Sequence, residues 1–345
     1  MFYKEFIESA KVRLEPIYGR REGRAIALRL LQHFCGLRSY DHIINPFGNI
    51  EASCVFEMEK AMEGLLTARP LQYVLGFEEF CGRRFIVEEG VLIPRPETEE
   101  LVKWVLEDYG TGRFKRTGTT GIREIAGIPG SLNTNDAGNS CVIGKAEGPA
   151  RIRILDAACG SGCIGITLAC EIDRAEVFAL DLSDKAIDVT FKNEAVLFPT
   201  FNNKIFLPFK SDLLAGPLSQ NIIEKHSLDI IVSNPPYVRE MERTQMRRNV
   251  LDFEPAEALF VKDEDPLIFY RALAEWGLNL LKSDGVIYLE INESYGTEVV
   301  ELLAACGYTE VTLRKDFADK NRMVRGTWCC PSHSWDSVDN ETTWT

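Results

Sequence analysis

The 345-residue sequence predicts an α/β protein: a mainly parallel seven-stranded sheet covered by helices, preceded by a small helical domain and a β-hairpin. Three observations predict it. From Arg151 onward, short apolar runs alternate with stretches of helical periodicity. A glycine-rich turn follows the first of those runs. Ahead of them, residues 1 to about 70 carry only helical apolar faces, as in Ala25–Leu31 and Val55–Leu66.

In chain order, residues 1–70 are expected to form the helical domain, with Arg20, Arg21 and Arg24 as a solvated face or a contact patch. Residues 71–96 hold two β-rich segments around Gly82 and read as a hairpin joining two domains. Pro94 and Pro96 end the extended segment, and a helix is expected from near Glu97 past Trp104. Arg95, beside Glu97 and Glu99, fits either a site lining or a helix start, where acids are favoured. Residues 110–150 are rich in Gly, Thr, Asn and Ser and read as a flexible insertion within a domain spanning 97–330. Strands are expected at Ile152–Leu155, Val177–Leu180, Ile205–Leu207, Leu228–Val232, Val286–Leu289, Val311–Leu313 and Met323–Trp328. The polar tail 331–345 is expected to be disordered.

Composition narrows the function. The net charge of −13 opposes a broad nucleic-acid footprint, because neutralising phosphates takes a Lys/Arg surface. No segment has the apolar core of a signal peptide or the length to span a bilayer. Ten cysteines without regular spacing fit reduced thiols, so a cytoplasmic setting is expected.

The turn Asp156-Ala157-Ala158-Cys159-Gly160-Ser161-Gly162-Cys163-Ile164-Gly165 contains G-x-G-x-x-G at 160–165, and Asp181, about 20 positions on, sits where a ribose-binding acid belongs. This pattern alone suits a dinucleotide as well as a nucleoside ligand. Two acids favour the latter. Asp156 would repel a pyrophosphate yet tolerate a cationic sulfonium. Asp212, followed by Leu213, is placed after the third strand to accept from an adenine amine.

Ser233-Asn234-Pro235-Pro236-Tyr237 follows the fourth strand. Two prolines fix φ and bar the preceding residue from the α region, giving a stiff turn at a strand's carboxyl end. The Asn234 side-chain oxygen and the Pro235 carbonyl offer two acceptors, and Tyr237 a flat ring. Such a notch suits a planar group bearing –NH2, either a carboxamide or an exocyclic base amine.

Together these residues resemble the class I S-adenosylmethionine-dependent methyltransferases, whose fold is Rossmann-like. More narrowly, the chain resembles the HemK/PrmC family, which methylates the glutamine side-chain amide in the Gly-Gly-Gln motif of peptide-chain release factors. The resemblance spans nearly the whole chain and rests on Pro70–Gly76, Leu92–Glu99, the Asp156–Gly162 turn, Asp181, Ser211-Asp212, Asn234–Tyr237 and Glu254–Leu259. Departures are Ala158-Cys159 where the family often has Gly-Thr, Asp265-Pro266-Leu267 where many members have Asp-Gly-Leu, and the long 110–150 insertion. The resemblance implies S-adenosylmethionine as methyl donor, with S-adenosylhomocysteine as product and no metal. It implies that Asp156, Ala158, Cys159, Gly160, Ser161, Gly162, Asp181, Asp212, Leu213 and Asn234 hold the donor. Asn234, Pro235, Pro236, Tyr237 and Arg95 would hold the substrate, with Asn234, Pro235 and Tyr237 acting in the chemistry. A release factor is the expected partner, met by a monomer without direct nucleic acid or membrane contact.

The rivals are a glutamine methyltransferase of a ribosomal protein, a nucleic-acid amino-methyltransferase, a NAD-dependent oxidoreductase, and a binding module that has lost catalysis. None of the four histidines lies in these motifs. Cys329-Cys330 with His333 is too sparse for zinc. Cys159 and Cys163 read as small buried thiols, Glu290 as a solvated strand end, and Asp316 and Arg322 as surface charges.

Overall fold

A computed structural model describes residues 1–114, 151–198, 205–217 and 222–329. The expected tail and almost all of the expected insertion lie outside them.

The N-terminal part is built from helices α1 (Tyr3–Tyr18), α2 (Arg20–Cys35), the short α3 (Asp41–Ile44) and α4 (Ala52–Leu66). Gly19 and Gly36, both at positive φ, end the first two. Leu14, Leu30, Met58, Met62 and Leu65 are fully buried between α1, α2 and α4. Each contributes about 2 kcal/mol through removal of apolar surface from water.

The segment after Pro70 departs from the expected hairpin. Leu71–Leu75 forms a helical turn, α5, closed by Gly76 at φ 80°, because its apolar spacing lets Tyr73 bury and donate to the Val91 carbonyl at 2.6 Å. The antiparallel pair β1 (Phe77–Phe80) and β2 (Arg83–Ile86) follows, turning at Cys81-Gly82. Helix α6 (Pro96–Gly110) begins one residue before the expected Glu97, since proline at the first helical position loses no hydrogen bond.

The remaining strands are β3 (Ile152–Ala157), β4 (Ala175–Asp181), β5 (Ile205–Lys210), β6 (Leu228–Ser233), the short parallel pair β7 (Val238–Arg239) and β8 (Phe260–Val261), β9 (Leu281–Glu290), β10 (Tyr308–Lys315) and β11 (Asn321–Trp328). They alternate with α7 (Cys163–Glu171), α8 (Asp184–Leu197), the single turn α9 (Arg248–Leu251), α10 (Ile268–Leu280) and α11 (Gly296–Ala305). Seven strands form one sheet in the order β10-β11-β9-β6-β3-β4-β5. The expected Rossmann-like α/β architecture is present, and the sheet is mixed: β11 runs antiparallel to both β9 and β10, while the other neighbours are parallel. Pro208 is accommodated because β5 is an edge strand.

Two apolar layers cover the sheet. Leu101, Val102 and Val105 of α6 pack with Ile164, Ile166 and Leu168 of α7 on one face. Leu273, Ala274 and Leu280 of α10 join Val299 and Leu303 of α11 on the other. Strand order reverses between β3 and β6, so the carboxyl ends of β3, β4, β5 and β6 open onto a shared crevice.

Candidate active site

The crevice is a cavity of about 330 Å³, within the range of small-ligand pockets. Its floor is the turn after β3. Gly162 (φ 76°) precedes α7, and a Cβ there would approach Thr190 to 2.9 Å. A Cβ on Gly165 would lie 2.8 Å from Asp156 Oδ2, the atom that accepts the Gly165 N–H. The glycines therefore bring helix and strand into contact as well as exposing backbone. Ala158 takes φ 57° with a Cβ that disfavours it.

A residue absent from the sequence reasoning holds this floor. Asn193 of α8, fully buried, accepts from Ile86 N at 2.6 Å and donates to the carbonyls of Ile86 and Ser161 at 3.0 and 2.9 Å. It ties the hairpin to the glycine turn. Thr190, one helical turn earlier, donates to the Gly160 carbonyl at 3.0 Å.

Asp181 closes β4. Its Oδ2 accepts from Gly160 N and its Oδ1 from Ser183 N, both at 2.9 Å, and burial holds its pKa above the usual carboxylate range despite those bonds. Asp212 follows β5 and accepts from Leu214 N at 2.8 Å. Ala158, Cys159, Gly160, Ser161, Asp181, Asp212, Leu213, Arg95, Asn234 and Pro236 all line the cavity. Asp156, Gly162, Pro235 and Tyr237 are not in the lining. Asp156 lies wholly buried beneath the turn, where desolvation raises its pKa to about 7, and its Oδ1 has no partner among the described residues. Arg95 precedes α6, lines the cavity, and donates to the buried Glu254 at 2.6 Å. Phe269 of α10 also lines the cavity, with no motif to mark it.

Three expectations require correction. Glu290 is buried (1% exposed) at the end of β9 rather than solvated. It accepts from Tyr237 through Oε1 at 3.0 Å and from Thr98 through Oε2 at 2.7 Å. Asp316 and Arg322 are a largely buried pair, Nε to Oδ2 at 3.0 Å, and the Arg322 charge acts on Glu290 and Tyr237. The antiparallel return of β11 carries Arg322 inward and sets Met323 opposite Glu290, while Asp316 meets Arg322 from the turn before β11.

Asn234 stands at the centre. Its Nδ2 donates to Thr98 Oγ1 at 3.0 Å, and its Oδ1 receives no hydrogen bond among the described residues. The turn is anchored on both sides: Ser233 donates to the Ala157 carbonyl at 2.7 Å, and the Tyr237 carbonyl accepts from Asn292 Nδ2 at 3.1 Å.

The donor set defines what the cavity can take. Asp181, Asp184, Asp212 and Glu257 line it, while its basic lining residue among the described residues, Arg95, is neutralised by Glu254. Carboxylates suit ribose hydroxyls, an exocyclic amine and a cationic group, and they repel a diphosphate. Among the described residues no cluster of His, Cys, Asp or Glu could hold a metal.

This fold and cavity define a Rossmann-like methyltransferase, and the family model of the methyltransferase small domain matches residues 130–253. The release factor glutamine methyltransferase of Flavobacterium psychrophilum is 35% identical over 90% of this chain and 94% of its own. That of Bacteroides thetaiotaomicron is 35% identical over 90% of this chain and 95% of its own. A solved release factor-specific protein-(glutamine-N5) methyltransferase from Alicyclobacillus acidocaldarius shares 22% identity, covering 69% of this chain and 95% of that one at a TM-score of 0.36. The chain belongs to the family of release factor glutamine methyltransferases. Among the described residues, no helix is long and apolar enough to cross a membrane.

Proposed function

We propose that the protein transfers a methyl group from S-adenosylmethionine to the side-chain amide nitrogen of the glutamine in the Gly-Gly-Gln motif of peptide-chain release factors. The observation that carries this reading is the placement of Asn234 Oδ1, free of donors among the described residues, at a cavity rich in carboxylates. Asp181 would accept from the ribose hydroxyls, Asp212 would accept from the adenine amine, and the turn at 158–162 would hold the methionine portion. When bound, the sulfonium supplies an electrophilic methyl group. S-adenosylhomocysteine is the product, and no metal takes part.

An amide nitrogen is a poor nucleophile, since its lone pair is delocalised into the carbonyl. Asn234 Oδ1 and the Pro235 carbonyl accept its two N–H bonds. They orient the nitrogen and stabilise the positive charge that grows on it. Such preorganised dipoles act without reorganising during the step, and their removal typically lowers rates by about 10²–10³-fold. Tyr237, fixed through its hydroxyl to Glu290, holds the far side of the turn against the amide plane. Pro236 and Arg95 complete the substrate side of the lining. The proton leaves to water after the nitrogen has gained its methyl group.

In this reading residues 1–70 recognise the factor, 71–96 link the two parts, and 97–330 catalyse. The enzyme acts as a cytoplasmic monomer on the protein factor, without nucleic acid or membrane. The test incubates the protein with S-adenosylmethionine and a release factor and maps methylation by mass spectrometry. A gain of about 14 Da on the glutamine of Gly-Gly-Gln is expected, one methyl group having replaced one hydrogen. An unmodified peptide, or methylation of a ribosomal protein instead, overturns the substrate.

A further inference from the structure

The Asn234 amide is useful in one of its two orientations only. With Oδ1 toward the cavity it accepts an N–H; rotated by half a turn it presents a second –NH2 to the substrate's own –NH2. The Asn-Pro-Pro-Tyr turn fixes the backbone and leaves this rotation open, since the terminal amide torsion is broad and two-fold. Something else must select the orientation.

Thr98 is 2% exposed, on the first turn of α6, and brings one hydroxyl to the site. A hydroxyl donates one hydrogen and accepts through its lone pairs. Its hydrogen is directed to Glu290 Oε2 at 2.7 Å. Towards Asn234, 3.0 Å away, it can therefore only accept, and Asn234 must turn its Nδ2 to it. Glu290 is in turn held by the Tyr237 hydroxyl at Oε1 and by the positive charge of Arg322. Burial raises the Glu290 pKa, while the bonds from Thr98 and Tyr237 and the Arg322 charge oppose that rise. In its ionised form the carboxylate offers acceptors alone, and the direction of every hydrogen bond in the chain then follows from it.

We propose that Thr98 and Glu290 are positioning residues: Glu290 directs the Thr98 hydroxyl, which locks the Asn234 amide with its oxygen facing the substrate. This rests on the reading of Asn234 as an acceptor for the substrate amide. It reaches that acceptor from two elements remote in sequence, α6 and the end of β9. Neither side chain touches the reacting atoms in this account.

The experiment compares wild type with Thr98→Val, which is nearly isosteric and lacks the hydroxyl, Thr98→Ser, which restores it, and Glu290→Gln, which allows either direction of bonding. S-adenosylmethionine binding by calorimetry and thermal midpoints establish that each variant is folded. Expected is a kcat loss of roughly 10–100-fold for Thr98→Val with KM for the release factor changed less than threefold, since an acceptor aligned for the transition state is what has been lost. Thr98→Ser is expected within about threefold of wild type and Glu290→Gln in between. A second readout needs no turnover. With selective ¹⁵N-asparagine labelling, the Asn234 side-chain NH2, assigned by its loss in Asn234→Ala, is expected to be protected from hydrogen exchange in wild type and Thr98→Ser and unprotected in Thr98→Val. Wild-type kcat in Thr98→Val, equal losses in Thr98→Val and Thr98→Ser, or an Asn234 amide equally protected in Thr98→Val would overturn the proposal. If the wild type fails to methylate the factor yet shows this pattern of protection, the relay stands and the substrate reading falls.

Discussion

Replacing Asp156 with asparagine isolates the energetic cost of the carboxyl buried under the glycine turn. Asp156 is fully buried, accepts from Gly165 N, and has its pKa raised from 3.8 to about 7 by desolvation. A raised folded-state pKa favours folding while the group keeps its proton. That contribution is fully present below 3.8, where folded and unfolded chains are both protonated, and is lost as pH rises through about 7. At about 1.4 kcal/mol per pH unit, the ligand-free wild type loses about 2 kcal/mol by pH 5 and about 4 kcal/mol by pH 8 on this account. The carboxamide of Asp156→Asn would keep an acceptor for Gly165 N and has no charge to bury. The variant is therefore expected to match wild type near pH 4 and to gain on it steadily, exceeding it by about 4 kcal/mol at pH 8. Urea unfolding of both proteins from pH 4 to 8 reads the difference, in which other titrating groups cancel. Parallel stability curves, or a variant less stable at pH 8, would refute the reasoning.

Three further predictions follow from the same floor and crevice. Ala158→Gly relieves a left-handed backbone at φ 57° and is expected to stabilise by about 1 kcal/mol in urea unfolding. Asn193→Ala removes one acceptor and two donated bonds between the hairpin and the glycine turn, so a loss of about 3 kcal/mol is expected, with Ile86 N exchanging faster with deuterium. Asp181→Ala is expected to weaken S-adenosylmethionine binding by roughly 100-fold in calorimetry, the worth of two hydrogen bonds to a charged group.

Much of this architecture is legible in the sequence because its signals are local. The run Leu228–Val232 is apolar almost throughout since it is covered on both faces, and Asp181 and Asp212 fall at strand ends that place them at the crevice. Strand direction carries no such signal. The apolar pattern of Met323–Trp328 is the same whether it pairs parallel or antiparallel, so the mixed sheet appears only in three dimensions. The expected hairpin reaches too far, over Leu71–Leu75, because a five-residue helical turn shows barely one period. Glu290 illustrates the deeper limit. A charged residue at a strand end is ordinarily solvated, and its burial depends on Thr98 and Tyr237 arriving from distant segments. Asn193 is hidden for the same reason, its partners Ile86 and Ser161 lying on another strand and turn. Asp316 and Arg322, by contrast, pair locally across the turn between β10 and β11, and it is their burial that the sequence does not announce.

The central claim is that Asn234 acts on the bound amide and not merely on the fold. Single-turnover methylation of a release factor by Asn234→Ala, measured alongside its affinity for S-adenosylmethionine, tests it most directly. The predicted result is a rate lowered by about 10²–10³-fold with S-adenosylmethionine at a concentration that saturates the variant. A variant that transfers methyl groups at the wild-type rate would contradict it.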